Sequence, residues 1–192
     1  MRVADAMVAH VRGDRSAADD ALRALVASLA GVDDASEIVI VQRCPDCGGA
    51  HGRPVVAAPA AARGIGVSRS HAGAAGSAHH VVAAAPGVRV GIDAEPRDAP
   101  AARLDAVRAL LASPAEPLRR WTQIEAVLKA DGRGLRVDPA AVVLEETAAG
   151  LTASAPGSAR RYAVHDVALR DEHDADDEPD LVVSLAIEVR RR

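Results

Sequence analysis

The 192-residue chain contains no phenylalanine and no asparagine, and only one tryptophan and one tyrosine. A core assembled from aromatic rings is excluded; one of this size must be built from Val, Leu, Ile and Ala. Only two cysteines occur, Cys44 and Cys47. They lie close together and no export signal is visible, so they read as reduced thiols rather than a secreted disulfide scaffold. No apolar run approaches the roughly 20 residues that a membrane helix needs; the stretch over 55–62 is short and broken by Pro59. Residues 1–15 alternate charged and small side chains, with no apolar signal core. A cytoplasmic protein without membrane attachment is expected. An excess of positive charge is missing too, and a formal net charge of −4 argues against a general nucleic-acid binder.

Lysine is the scarcest charged residue. Of 23 basic side chains, 22 are arginine, and the one lysine is Lys129. The two types are interchangeable as solvated charge, but not where a compact or deprotonatable cation is required. Glu125 and Lys129 are i and i+4, so on a helix they share one face, as a surface ion pair would. Such a pair contributes only about 0.3–0.5 kcal/mol.

The spacing of Leu22, Leu25, Val26 and Leu29 predicts a helix over 16–29 that stops at Gly31. Strands are expected over 37–43 and 66–70, then over 80–85 and 88–93 around a Pro86-Gly87 turn. A helix is expected over 103–111. A second follows to about Ala130, with Ser113 as N-cap, Pro114 at N1, Glu116 at N3, and a stop at Asp131-Gly132. Strands over 141–145, 161–169 and 181–189 complete the chain, with an acidic run at 170–179 read as a solvated loop. This order suggests an α+β protein of two similar halves meeting near Val88.

Asp93 and Glu95 alternate on a strand and so face the same side. With Glu125 from the helix they offer three oxygen ligands on rigid elements, a good match for Mg²⁺. As an isolated D-x-E they would more simply be two exposed carboxylates. Cys44-Pro45-Asp46-Cys47 is a CxxC, with His51 nearby and His71 further on. A structural zinc site needs four ligands, and here the second pair would have to be assembled from distant histidines. A tight loop of reduced cysteines is therefore the expected reading. Ser70-His71-Ala72-Gly73 lacks the GxSxG elbow of a hydrolase, so a phosphate-contacting loop is expected.

Four blocks occur in order: Arg43-Cys44-Pro45-Asp46-Cys47-Gly48-Gly49-Ala50-His51-Gly52-Arg53-Pro54; Ser70-His71-Ala72-Gly73; Gly91-Ile92-Asp93-Ala94-Glu95; and Trp121-Thr122-x-x-Glu125-Ala126-x-x-Lys129-Ala130-x-Gly132-Arg133-Gly134-Leu135. Together they resemble the 4′-phosphopantetheinyl transferases of the surfactin-synthetase-activating (Sfp) type. The resemblance covers most of 17–135 and is weaker in the C-terminal strands.

It implies two α+β halves, 1–87 and 88–192, packed with pseudo-twofold symmetry around one active site. It also implies transfer of phosphopantetheine from coenzyme A to a serine of an acyl or peptidyl carrier protein, releasing 3′,5′-ADP. By position, Asp93, Glu95 and Glu125 would hold Mg²⁺, which Mn²⁺ could replace, and Glu125 would also serve as base. Lys129 would neutralise the pyrophosphate. Arg53, Ser70, His71 and Arg133 would contact the coenzyme, and Arg15 its 3′-phosphate. Carrier proteins are typically acidic around the modified serine, so Arg108, Arg119 and Arg120 are candidates for a basic patch facing one, with a simple solvated helix face as the equal alternative. Ile124 stands where many relatives carry lysine. Two competing readings are a non-catalytic coenzyme A-binding scaffold and a small zinc-dependent interaction module built on Cys44 and Cys47.

Overall fold

Asp14 accepts the Ala17 N–H at 3.1 Å and caps helix α1 (Arg15–Ala30), which ends where Gly31 turns left-handed at φ 66°. The expected stripe turns inward: Leu22, Leu25 and Val26 are buried. The computed structural model describes residues 1–44, 46–73, 78–112, 114–169 and 180–190. Pro45, positions 74–77, the expected cap Ser113 and the acidic run at 170–179 lie outside them. In chain order the first strands are β1 (Arg2–Val3), β2 (Ala6–Arg12), β3 (Val39–Gln42), β4 (Pro54–Ala58), β5 (Ile65–Ala72) and β6 (His79–Pro86). They are followed by β7 (Val90–Pro96), α2 (Ala101–Leu110), α3 (Pro117–Asp131), β8 (Val143–Thr147), β9 (Gly150–Ser154), β10 (Tyr162–Asp166) and β11 (Leu181–Glu188).

The fold is α+β with antiparallel sheets. One has the order β1-β2-β6-β5, a second β7-β11-β10-β9-β8, and β3 pairs with β4 alone. Ala6, Val8, Val81 and Ala83 of the first sheet share a core with Ile92, Val183 and Leu185 of the second. Leu22 and Val26 of α1 pack with Val67, Val82 and Ala84 on the other side of the first sheet. The second sheet has a matching outer cover, in which Val127 and Leu128 of α3 pack with Tyr162, Val164 and Ala186. Both faces of β2 and β6 are therefore covered, and Val81 to Ala85 form an unbroken buried run.

Strands β6 and β7 flank the Pro86-Gly87 turn as expected, yet they belong to different sheets. The neighbour of β7 on the first sheet is β5, and the contact is made by side chains. Ser68 Oγ accepts the Ile92 N–H at 3.0 Å, and Ser70 Oγ accepts the Ala94 N–H at 3.2 Å. Two serines spaced by one pleat thus satisfy two strand donors that a backbone ladder would otherwise have taken.

Helix α3 starts later than expected. Glu116 is its N-cap and Pro117 its first residue. A start at Pro114 would put Pro117 at the fourth helical position, where an N–H must bond back to the cap carbonyl and proline has none. At N1 that donor is not needed. The helix lies directly on β7, because a Cβ at Gly91 would collide with the Ala126 carbonyl and sit 2.5 Å from the Ala130 nitrogen. No helix among the described residues is long and apolar enough to cross a membrane.

Candidate functional site

Lys129 lies in the last turn of α3, on the helix pressed against β7. Its ammonium donates to Asp93 Oδ1 at 2.7 Å, to the Ile92 carbonyl at 3.0 Å and to the Arg69 carbonyl at 3.4 Å. The surface pair with Glu125 is not formed. Lys129 is ion-paired with Asp93 instead, and the side chains are 29% and 9% exposed. Ser70 Oγ donates to the same Asp93 oxygen at 2.9 Å. Its hydroxyl proton is thereby used within the protein, so Ser70 orients Asp93 from below. This is the bond expected of a buried hydroxyl, since buried polar groups bond first to what surrounds them.

Two oxygens here stand out. Asp93 Oδ2 and Glu125 Oε1 are buried and have no hydrogen-bond partner. Burial, and then the nearby Asp93 carboxylate, push the Glu125 carboxyl above its ordinary value, against the pull of Lys129 and Arg103. An orphaned oxygen from each of two packed elements, with charge repulsion between them, fits a hard divalent cation such as Mg²⁺. Glu95 is less ready. It is ion-paired with Arg103 of α2, whose guanidinium also lies 5.0 Å over the Trp121 ring. The expected three-carboxylate set is therefore open as it stands, and Glu95 would have to leave Arg103 to complete it.

Beside Lys129 opens a cleft of about 1100 Å³. Eight basic side chains line it against only two carboxylates, Asp46 and Asp131, in a chain of net charge −4. Arg53, Arg89 and Arg160 form its most concentrated part. The Arg53 Nε is buried without a partner. Burial and the neighbouring Arg89 lower the pKa of its guanidinium. Glu188 pairs with Arg160 at 3.0 Å, and the two like charges of Arg53 and Arg89 beside that pair favour an anion. Arg133, two residues past α3, is held by Asp131 at 2.5 Å and by the Pro156 carbonyl at 2.9 Å. Although burial opposes it, bonds from Arg133 and Ser158 hold the Asp131 carboxyl below its ordinary range. Tyr162 is wholly buried, and burial together with Asp131 pushes its phenol up to about 12, so it stays neutral.

The cysteine loop forms one wall of this cleft through Cys44, Asp46 and His51. Both thiols are free, and Cys47 Sγ lies 2.9 Å from His51 Nε2. Among the described residues, Cys44, Cys47 and His51 are the only three side chains whose metal-ligating atoms all lie within 4.8 Å of one another. The distant-histidine objection fails for His51, because the chain turns back at Gly48 and Gly49. Backbone N–H groups of Cys47 and Asp46 lower the Cys44 thiol below its ordinary value.

Of the expected site residues, Lys129, Arg53 and Arg133 line the cleft, and Asp93 joins it through Lys129. Arg15 lies one step outside, donating at 3.3 Å to Gln42, which lines it. His71 is exposed on β5, with its ring 6.2 Å from that of His80. Ile124 is 2% exposed and packs in the α3 core. The basic patch expected for a carrier protein is largely neutralised. Arg108 pairs with Asp105 at 3.1 Å, and Arg119 pairs with Glu116 at 2.7 Å and Asp166 at 2.6 Å. The sequence reading missed Arg89, Arg160 and Arg103, which no local motif marks. No protein-family model and no curated protein matches this chain.

Proposed function

We propose that this protein transfers the 4′-phosphopantetheine group of coenzyme A to a serine of an acyl or peptidyl carrier protein, releasing 3′,5′-ADP. The observation that carries the reading is the position of Lys129. The chain's single lysine ammonium stands between an arginine-lined cleft sized for a nucleotide and two carboxylates with unused buried oxygens. A transfer at a pyrophosphate needs these parts, since its barrier is lowered mainly by positioning and by cations at the charged oxygens.

In this reading Arg53, Arg89 and Arg160 receive the phosphates of the nucleotide end, and Arg15, through its position beside Gln42, takes the 3′-phosphate. Lys129 neutralises the pyrophosphate oxygens and the departing ADP. Asp93, Glu95 and Glu125 would hold Mg²⁺, or Mn²⁺ in its place, which supplies positive charge to the same oxygens. The carrier serine oxygen forms a bond to the phosphorus that carries the pantetheine, and the bond from that phosphorus to the ADP oxygen breaks. Glu125, as the carboxylate, accepts the serine proton directly or through water, and the burial that raises its proton affinity suits it to that role. Ser70 keeps Asp93 aimed at Lys129, and His71 and Arg133 stand at the margins of the coenzyme.

The division into halves 1–87 and 88–192 related by a pseudo-twofold axis belongs to the same proposal. It is supported by each large sheet drawing its strands from one half and carrying one long helix on its outer face. A cytoplasmic location follows from where carrier proteins are made and used. The test is incubation with coenzyme A, Mg²⁺ and a panel of apo carrier proteins, read by intact mass. Gain of one phosphopantetheinyl group on any carrier is the expected result. Tight coenzyme A binding with every carrier left unmodified would favour the non-catalytic scaffold instead.

A further inference from the structure

We propose that Cys44, Cys47 and His51 bind Zn²⁺ through two thiolates and one imidazole nitrogen, with the fourth position open to solvent at the wall of the basic cleft. This site is separate from the carboxylates and does not depend on the transfer reaction.

Zn²⁺ takes sulfur at about 2.3 Å and nitrogen at about 2.0 Å in a tetrahedron, which puts neighbouring ligand atoms roughly 3.5 Å apart. The three ligand atoms already lie within 4.8 Å of one another. The direct Cys47 Sγ to His51 Nε2 contact of 2.9 Å would open slightly and be replaced by two bonds to the ion. The two thiol protons leave to solvent on binding.

The loop is shaped around these side chains by its main chain. Cys44 N–H donates to the Gly49 carbonyl at 2.9 Å, and Gly48 N–H to the Cys44 carbonyl at 2.9 Å. Gly49 N–H donates to Cys47 Sγ at 3.4 Å, which holds the sulfur toward the loop's interior side chains. Gly48 is left-handed at φ 70°, where a side chain would be strained. A Cβ at Gly49 would sit 3.1 Å from His51 Cδ2 and 3.3 Å from Cys47 Sγ, so it would press between two of the ligands. The loop is also anchored from across the cleft, where Arg136 grips Asp46 at 3.0 Å. Cys47 and His51 are exposed, which gives an ion a way in. Two thiolates cancel the charge of Zn²⁺, so the cleft keeps its positive potential.

The experiment equilibrates the reduced full-length protein with Zn²⁺, removes free metal by gel filtration and counts bound zinc, with Co²⁺ as a spectroscopic substitute. One zinc per chain and a cobalt–thiolate charge-transfer band are expected. Cys47→Ser and His51→Ala, both at exposed positions, should each weaken zinc binding at least tenfold while retaining the wild-type circular dichroism spectrum. Reduced protein that retains no zinc overturns the proposal. So does zinc retained equally by both variants, or a cobalt spectrum without a thiolate band.

Discussion

The two cation sites proposed for this molecule are built in opposite ways. The carboxylate site uses oxygen from a strand and a helix, is largely buried, and keeps its potential ligands apart by giving Asp93 to Lys129 and Glu95 to Arg103. The cysteine site uses sulfur and nitrogen from one short loop, is largely exposed, and has its ligands already together. The difference is one of chemical hardness and timing. A permanent soft ion suits a preformed loop, whereas a hard ion that arrives with a phosphate substrate suits ligands held in reserve by internal cations.

The largest effect expected is at Asp93. Asp93→Asn keeps the shape but removes the charge, and transfer should fall at least about a hundredfold, or ~2.7 kcal/mol of lost transition-state stabilisation. Steady-state kinetics would show it, with zinc content unchanged. If both activity and zinc content fell, the two sites would not be separate.

Lys129→Arg comes next. Three acceptors converge on one nitrogen in a half-buried pocket, and a planar guanidinium cannot meet all three in the same way. A fall in kcat of at least about tenfold, ~1.4 kcal/mol, is expected, with a smaller loss of coenzyme A binding. Wild-type kinetics would show that any cation serves there.

Glu125→Gln should part stability from activity. The folded chain holds this proton above the ordinary value of 4.5, so its contribution to stability is present below the unfolded value and is lost as pH rises through the folded one. In chelator, the Gln variant should therefore be more stable than the wild type near neutral pH by about 1 kcal/mol, an advantage that disappears in acid. Denaturant midpoints at the two pH values measure it, and transfer by the variant should be lost.

The smallest change is expected on exchanging metals. Protein stripped by chelator and given Mg²⁺ alone should recover transfer to within about twofold of the starting rate, because the thiolate site supplies no ligand to the reacting oxygens. Recovery that requires zinc would join the two sites functionally.

Helix α1 with its Gly31 stop, the end of α3 at Gly132 and the central strands were legible because each carries a local signal of period or turn. Strand β2 was not. Both of its faces are covered, so its first four residues, Ala6 to Ala9, are apolar on both sides and show no alternation. Strands β4 and β9 were hidden by an Ala/Pro-rich composition and by brevity. The start of α3 was recoverable, since Pro117 itself rules out the earlier one. At the site, the isolated lysine drew the eye to Lys129, but its ion-pair partner Asp93 was not legible. Helical spacing pointed to Glu125, whereas the contact with β7 delivers Asp93. The cluster of Arg53, Arg89 and Arg160 could not be read at all, because only the fold brings those positions together.

The contact at Gly91 has a consequence of its own. Helix α3 rests on the backbone of β7 with no side chain between them, so the gap that Asp93 and Lys129 bridge is set by main-chain thickness. Side chains elsewhere in the aliphatic interior can be exchanged, and their volumes can drift, without altering that gap. The glycine works as a feeler gauge: the spacing of the two charged groups is decoupled from the composition of the core around them.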